Sequence, residues 1–301
     1  VLGNHLLGLY EKALDPKFNW HERFAKAKQL GFDFLEISID ETDERLTRLD
    51  WSLEQIEEFR HAALVSGMTC QSMCLSVHRR FPFGSKDPAV REKAHELLLK
   101  AVDFCNHAGV RVIQLAGYDV YYEPSTPQSV MYFRQAMAWA AKVAEQKQVM
   151  LAMEIMDTPF LNSISKHMAY EAMINSPWYK VYPDIGNLSA WPENDVDFEL
   201  ERGISSIVGV HLKDTLSVTE SFPGKFKCVP FGSGCVDFSK RFAQLERLNY
   251  TGPYMMEMWY EDVTFSESEV LRSRLWMEEQ FKKGIEMLAA SKATLNERSQ
   301  Q

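Results

Sequence analysis

The chain has 301 residues, 46% of them hydrophobic, enough to bury a sizeable core in one α/β barrel or two smaller domains. Its formal net charge of −9, with acidic residues spread along the chain, argues against a nucleic-acid surface, which needs a basic face. Five cysteines without a CxxC pair argue against a disulfide framework, and no apolar run approaches the roughly 20 residues of a membrane helix. The opening VLGNHLLGLYEKAL is too short and too poorly flanked for a secretory signal. A soluble, cytoplasmic protein with reduced cysteines, Cys70 and Cys74 buried, is the expectation.

In chain order, short apolar runs alternate with long amphipathic stretches. The runs are LLGLY (6–10), FLEISI (34–39), CQSMCLS (70–76), VIQLAG (112–117), LAMEIM (151–156), VYPDIG (181–186), IVGVHL (207–212) and YMMEM (254–258). Such runs suit parallel strands covered on both faces. Between them lie predicted helices. The first has Asn19 as its cap and closes at Gly31; the next two close at Gly67 and Gly109; a long one follows STP at 125–127. Weaker helices are expected over 163–175, 197–203 and 238–248, and a last one over 267–289. Eight strands alternating with eight helices predict an α/β fold of the (β/α)8 TIM barrel type, one domain over 1–290 with a polar C-terminal tail at 291–301. An open doubly wound sheet would carry a glycine-rich turn after the first strand, and GLYEKAL offers none.

The last four predicted strands each carry a group that an apolar strand should not: Glu154, Asp184, His211 and Glu257. Each lies late in its strand, where barrel active sites form. A single buried glutamate could be satisfied by a structural lysine or arginine. Four such groups on adjacent strands would cost many kcal/mol together unless a cation joined them. Three carboxylates and a neutral imidazole suit one divalent metal ion: zinc, manganese, cobalt or magnesium.

With those residues in view, the chain resembles the xylose-isomerase-like TIM barrels, and within them the L-xylulose/L-ribulose-5-phosphate 3-epimerases. The segments that carry the resemblance are LGLYEKAL, GFDFLEISIDETDERLTRLDW, SMCLSVHRRFPFGS, VIQLAGYDVYY, MEIMDTPFLNSISK, YPDIGNLSAW, VHLKDT, VPFGSGCVDF and EMW. The resemblance implies that Glu154, Asp184, His211 and Glu257 are the metal ligands. It also implies that Glu154 and Glu257 are the two bases of a C3 epimerisation, passing a proton through a cis-enediolate. The implied partner is a small-molecule sugar phosphate from carbohydrate catabolism, L-ascorbate or pentose, with neither nucleic acid nor membrane, and the implied assembly is a homodimer. The apurinic-endonuclease branch is disfavoured, because Asn187 stands at the offset where a further histidine is expected and HLKD lacks a following Asp-x-His. An aldose–ketose (hexulose phosphate) isomerase and a non-catalytic sugar-binding barrel are the alternatives.

Candidates for the phosphate and the sugar are scattered. SVHRRFPFGSKDP supplies His78 and Arg79; NSISK supplies Ser165 and Lys166, near a helix start where backbone N–H groups could hold an anion or simply be capped. Lys12 and Lys213 follow strands one and seven and could instead pair with a carboxylate such as Glu36; Asn187 is a further candidate. The long segment after strand seven, with Lys225, is long enough to fold over a ligand or to serve in oligomerisation. Tyr10, Trp191 and Trp259 are candidate pocket walls.

Overall fold

The computed structural model describes residues 1–260 and 267–298. Its strands are β1 (Leu7–Tyr10), β2 (Phe34–Ile39), β3 (Thr69–Leu75), β4 (Val112–Ala116), β5 (Met150–Glu154), β6 (Tyr179–Tyr182), β7 (Val210–Leu212), β8 (Asp214–Leu216), β9 (Lys225–Val229) and β10 (Tyr254–Met256). Eight of them form one parallel sheet in the order β6-β5-β4-β3-β2-β1-β10-β7. Its two ends meet: Val208 N–H donates to the Val181 carbonyl at 3.1 Å and His211 N–H to the Pro183 carbonyl at 3.0 Å. The sheet is therefore a nearly closed barrel. The other two strands, β8 and β9, are an antiparallel hairpin beside the mouth. That hairpin occupies the long segment that the sequence pattern left as a loop.

The helices start and stop where their ends are chemically satisfied. Trp20–Gln29 begins at Asn19, whose side chain accepts from the Glu22 N–H while Glu22 reaches back to the Asn19 N–H. Leu53–Ser66 ends at Gly67, which takes the left-handed conformation (φ 65°) that a side chain would resist. Pro88–Ala108 and Pro127–Lys147 each open with proline just after an Asp87 or Thr126 cap. The last helix, Glu267–Arg298, continues past the 289 expected for it. Of the polar 291–301 tail, residues 299–301 lie outside the described residues. Among the described residues no helix is long and apolar enough to cross a membrane.

Helices and strands enclose a continuous apolar layer that includes Phe24, Phe59, Leu97, Phe133 and Leu151, all nearly inaccessible. Each such side chain contributes about 1.5–3 kcal/mol through burial. The barrel interior is separate from that layer. Tyr10, Phe34, Cys74 and Met255 pack there as a small apolar plug. Phe34 fills the space above Gly8, where a Cβ would stand 2.2 Å from the ring. Period-two alternation then puts Glu36 and Ser38 on the same face of β2 as Phe34. Above the plug the barrel turns polar.

Candidate metal centre and active site

Glu154 is the final residue of β5, and Glu257 follows the end of β10. His211 sits in the middle of β7, paired in register with Met255. Asp184, expected on a strand, is instead the N-cap of the short helix Ile185–Ala190: its Oδ1 accepts from the Asn187 N–H at 2.7 Å. Its other oxygen is left for the barrel. Gly186 permits this turn, since a Cβ there would meet the Lys213 carbonyl oxygen at 2.5 Å.

All four side chains are buried, and one ligand atom from each lies within 4.8 Å of the others. His211 Nδ1 faces the group, 3.6 Å from Glu257 Oε2 and 4.0 Å from Glu154 Oε1 and Asp184 Oδ2. The opposite nitrogen, Nε2, is 3.1 Å from Glu36 Oε1, and Ser72 Oγ donates to the other Glu36 oxygen at 2.5 Å. Glu36 thereby orients the imidazole and leaves Nδ1 pointing inward, an arrangement typical of ligating histidines. Gln114 Nε2 lies 3.0 Å from His211 Nε2, and the Tyr182 ring lies edge-on to the imidazole at 4.7 Å.

The electrostatics are unbalanced. Four carboxylates, Glu36, Glu154, Asp184 and Glu257, surround one imidazole and the ammonium of Lys213. Lys213 Nζ stands 2.9 Å from Asp184 Oδ2 and 3.0 Å from Glu257 Oε2. Among the described residues those two buried oxygens have no hydrogen-bond partner, and the ammonium meets them as an ion pair. Lys213 supplies one positive charge between the two carboxylates. Burial, then Glu257, pushes Glu154 up to about 8. Burial also raises Asp184, to about 6, against the pull of Lys213. Burial opposes ionisation of Glu257, but Lys213 and His211 overcome it and hold its carboxyl well below the usual range. Burial likewise opposes charge on His211, yet Glu36 and Glu257 raise its pKa well above the ordinary histidine value. Protons are retained where a divalent ion would otherwise neutralise the cluster. The donor set, three carboxylate oxygens and one oriented imidazole, together with two orphaned buried oxygens, fits such an ion.

A cavity opens over this group. Among the sequence candidates, Lys12, Arg79, Asn187 and Lys213 line it, with Tyr10 and Trp259 as walls. Trp191 stands one layer out, its ring 5.7 Å from that of Phe226. Lys12 pairs with Asp40 at 2.5 Å, not with Glu36. Asn187 donates through Nδ2 to the Ile155 carbonyl at 2.8 Å. The remaining candidates are not among the lining residues. His78 is buried against Phe83, ring centres 4.2 Å apart, with Nε2 3.1 Å from the Ala94 carbonyl oxygen; burial pushes it down to about 4. Ser165 N–H donates to Glu199 at 2.6 Å, and Lys166 Nζ donates to Asn162 Oδ1 at 2.6 Å, in a helix start that Ser163 caps. Lys225 is exposed at the start of β9, while its neighbours Phe226 and Lys227 reach the cavity. Sequence reasoning did not single out Lys227, nor Glu36 as the partner of His211. Glu36 carried the same signal as Glu154, a carboxylate inside an apolar strand.

A TIM barrel with such a donor group at its mouth defines a class, and comparison with known proteins agrees. The chain belongs to the xylose isomerase-like TIM barrel family, which matches residues 24–290. Among its relatives, L-ribulose-5-phosphate 3-epimerase UlaE of Shigella boydii serotype 18 is 52% identical over 271 residues, covering 90% of this chain and 93% of the relative. SgbU of Escherichia coli K12 is 53% identical over 275 residues, 91% of this chain and 96% of that protein. The solved structure of an L-ribulose 3-epimerase superposes with a TM-score of 0.73 at 17% identity, covering 95% of this chain and 97% of that one; it supports the fold.

Proposed function

We propose that this chain is an L-ribulose-5-phosphate 3-epimerase that interconverts L-ribulose 5-phosphate and L-xylulose 5-phosphate by moving the C3 proton. The observation that carries this reading is the similarity, at about half of all positions and over nine-tenths of the chain, to UlaE, which bears that name. The geometry supports it independently. The proton beside a C2 carbonyl is a weak acid, and inverting C3 requires its removal on one face and return on the other. Glu154 and Glu257 end strands that β6 and β7 separate on the short way round the barrel, so they approach a centrally held sugar from different sides. Each carboxylate in such a position can take or give the C3 proton. Asp184 and His211 complete the ligand set, and a divalent ion held by these four residues would supply the positive charge that stabilises the developing enediolate. Lys213 holds the Asp184 and Glu257 oxygens together, and Trp259 and Tyr10 wall the mouth against water. The assembly we propose is a cytoplasmic homodimer.

The test is epimerisation of L-ribulose 5-phosphate in D2O by protein loaded with zinc, manganese, cobalt or magnesium. The expected product is L-xylulose 5-phosphate carrying deuterium at C3. Conversion to an aldose phosphate, or no exchange at C3 with any of the four metals, would overturn the assignment.

A further inference from the structure

Two cations have a claim on one pair of oxygens at the barrel mouth. Asp184 Oδ2 and Glu257 Oε2 stand 4.0 and 3.6 Å from His211 Nδ1, and so face the ligand group. The same two atoms stand 2.9 and 3.0 Å from Lys213 Nζ. A divalent ion and this ammonium would therefore draw on the same oxygens. All the side chains concerned are buried, and like charges repel strongly where little water screens them.

The backbone of Lys213 is held, but its side chain has a second place to rest. Lys213 follows β7 two residues after His211 and leaves the strand on the same face. On one side Gly186 packs against it so closely that a Cβ there would stand 2.5 Å from the Lys213 carbonyl oxygen. On the other, Asp214 Oδ2 accepts from the Gly232 and Gly234 N–H groups at 2.9 Å each. The side chain lines the cavity, and its ammonium lies 5.6 Å from the centre of the Trp259 ring, a π-face that attracts a cation. The flexible four-carbon stem lets the charge shift toward that ring while the backbone stays in place.

Resting on the divalent-ion reading of this site, we infer that Lys213 is an internal counter-cation that competes with the ion. It gathers Asp184 and Glu257 in the metal-free chain and gives up at least one of their oxygens when the ion binds. It thereby lowers the cost of the buried acids when no ion is bound, and lowers the affinity of the site so that the ion stays exchangeable. A lysine that only positioned the ligands would act in the opposite direction, since its removal would weaken metal binding. The sign of the effect separates the two roles.

The experiment titrates metal-free wild type and Lys213→Met with Mn²⁺ by calorimetry and follows both by thermal melting. Methionine keeps most of the aliphatic stem beside Trp259 and removes the charge. The variant should bind Mn²⁺ about tenfold more tightly or better. It should melt below wild type without the ion and gain more in melting temperature from it. Equal or weaker binding by the folded variant would overturn the inference. A second measurement needs no variant: crystal structures of the wild type without metal and soaked with Mn²⁺. With the ion bound, Nζ should move out of ion-pair distance of Asp184 Oδ2, Glu257 Oε2 or both. An ammonium that still pairs with both oxygens in the loaded protein would overturn the inference alone. A wild type that takes up no ion by either method would defeat the metal reading itself, and this inference with it.

Discussion

Glu11 and the carboxylates of the barrel mouth are all buried, yet they are compensated in opposite ways. Glu11 follows β1 and is wholly inaccessible. Arg48 donates to its Oε1, Arg23 lies 3.3 Å from Oε2, Arg45 lies 3.8 Å from Oε1, and the Ser38 N–H donates at 2.8 Å. Three guanidiniums serve one carboxylate. Burial opposes its charge, but Arg48 and Arg23 outweigh burial and lower its pKa. In the cluster at the mouth the ratio is reversed: four carboxylates share one ammonium and one imidazole. A buried acid that is over-supplied with cations is part of the scaffold. A cluster that is under-supplied is a site waiting on a ligand of opposite charge.

The sharpest way to break this contrast is to remove one carboxylate from each region. Glu154→Gln and Glu257→Gln should each lower kcat by about 10²–10⁴-fold, measured on the metal-loaded enzyme. The metal-free variants should melt no lower than wild type, because a crowded negative charge has gone. Glu11→Gln should do the reverse. It leaves Arg23 and Arg48 without their acid, Arg45 keeping Asp40 at 3.6 Å, and should cost about 3–5 kcal/mol in denaturant unfolding, while the metal stoichiometry stays the same. Glu36→Gln is intermediate: it weakens the hold on His211 Nε2 and should reduce metal affinity about 10–100-fold in chelator competition, with the fold retained. The smallest effect is one of pH. Since the folded-state pKa of Glu11 lies below its ordinary 4.5, its contribution to stability is complete above about pH 4.5 and is lost as pH falls through the lower folded value. Acid unfolding of Glu11→Gln should lack that component of the wild-type curve.

Much of this was written in the sequence because a charged residue is conspicuous in a strand covered on both faces. Glu154, His211 and Glu257 stood out in apolar runs, and the alternation of runs with capped helices was enough for the barrel. Glu36 stood out in the same way, but its role depends on His211, 175 residues distant, and no local pattern reports that contact. Asp184 was legible as an acid but not as a helix cap, because one carboxylate performs both tasks. The hairpin escaped notice because β8 has only three residues and β9 reads KFKCV, too short and too polar to separate from a loop. With the hairpin went Lys227. Basic residues near the mouth looked alike in sequence; only packing distinguishes His78, buried against Phe83, from Arg79 in the cavity wall.

The central claim, that the mouth carboxylates and His211 are held together by a cation, is tested most directly by calorimetric titration of metal-free protein with Mn²⁺, beside Asp184→Asn. The substitution keeps the oxygen that caps the Ile185–Ala190 helix and alters the one that faces the cluster. The account predicts one ion per chain for the wild type, with a rise in melting temperature, and at least about a tenfold weaker affinity in the folded variant. A folded wild type that binds no ion, or an Asp184→Asn variant that binds as tightly, would contradict it.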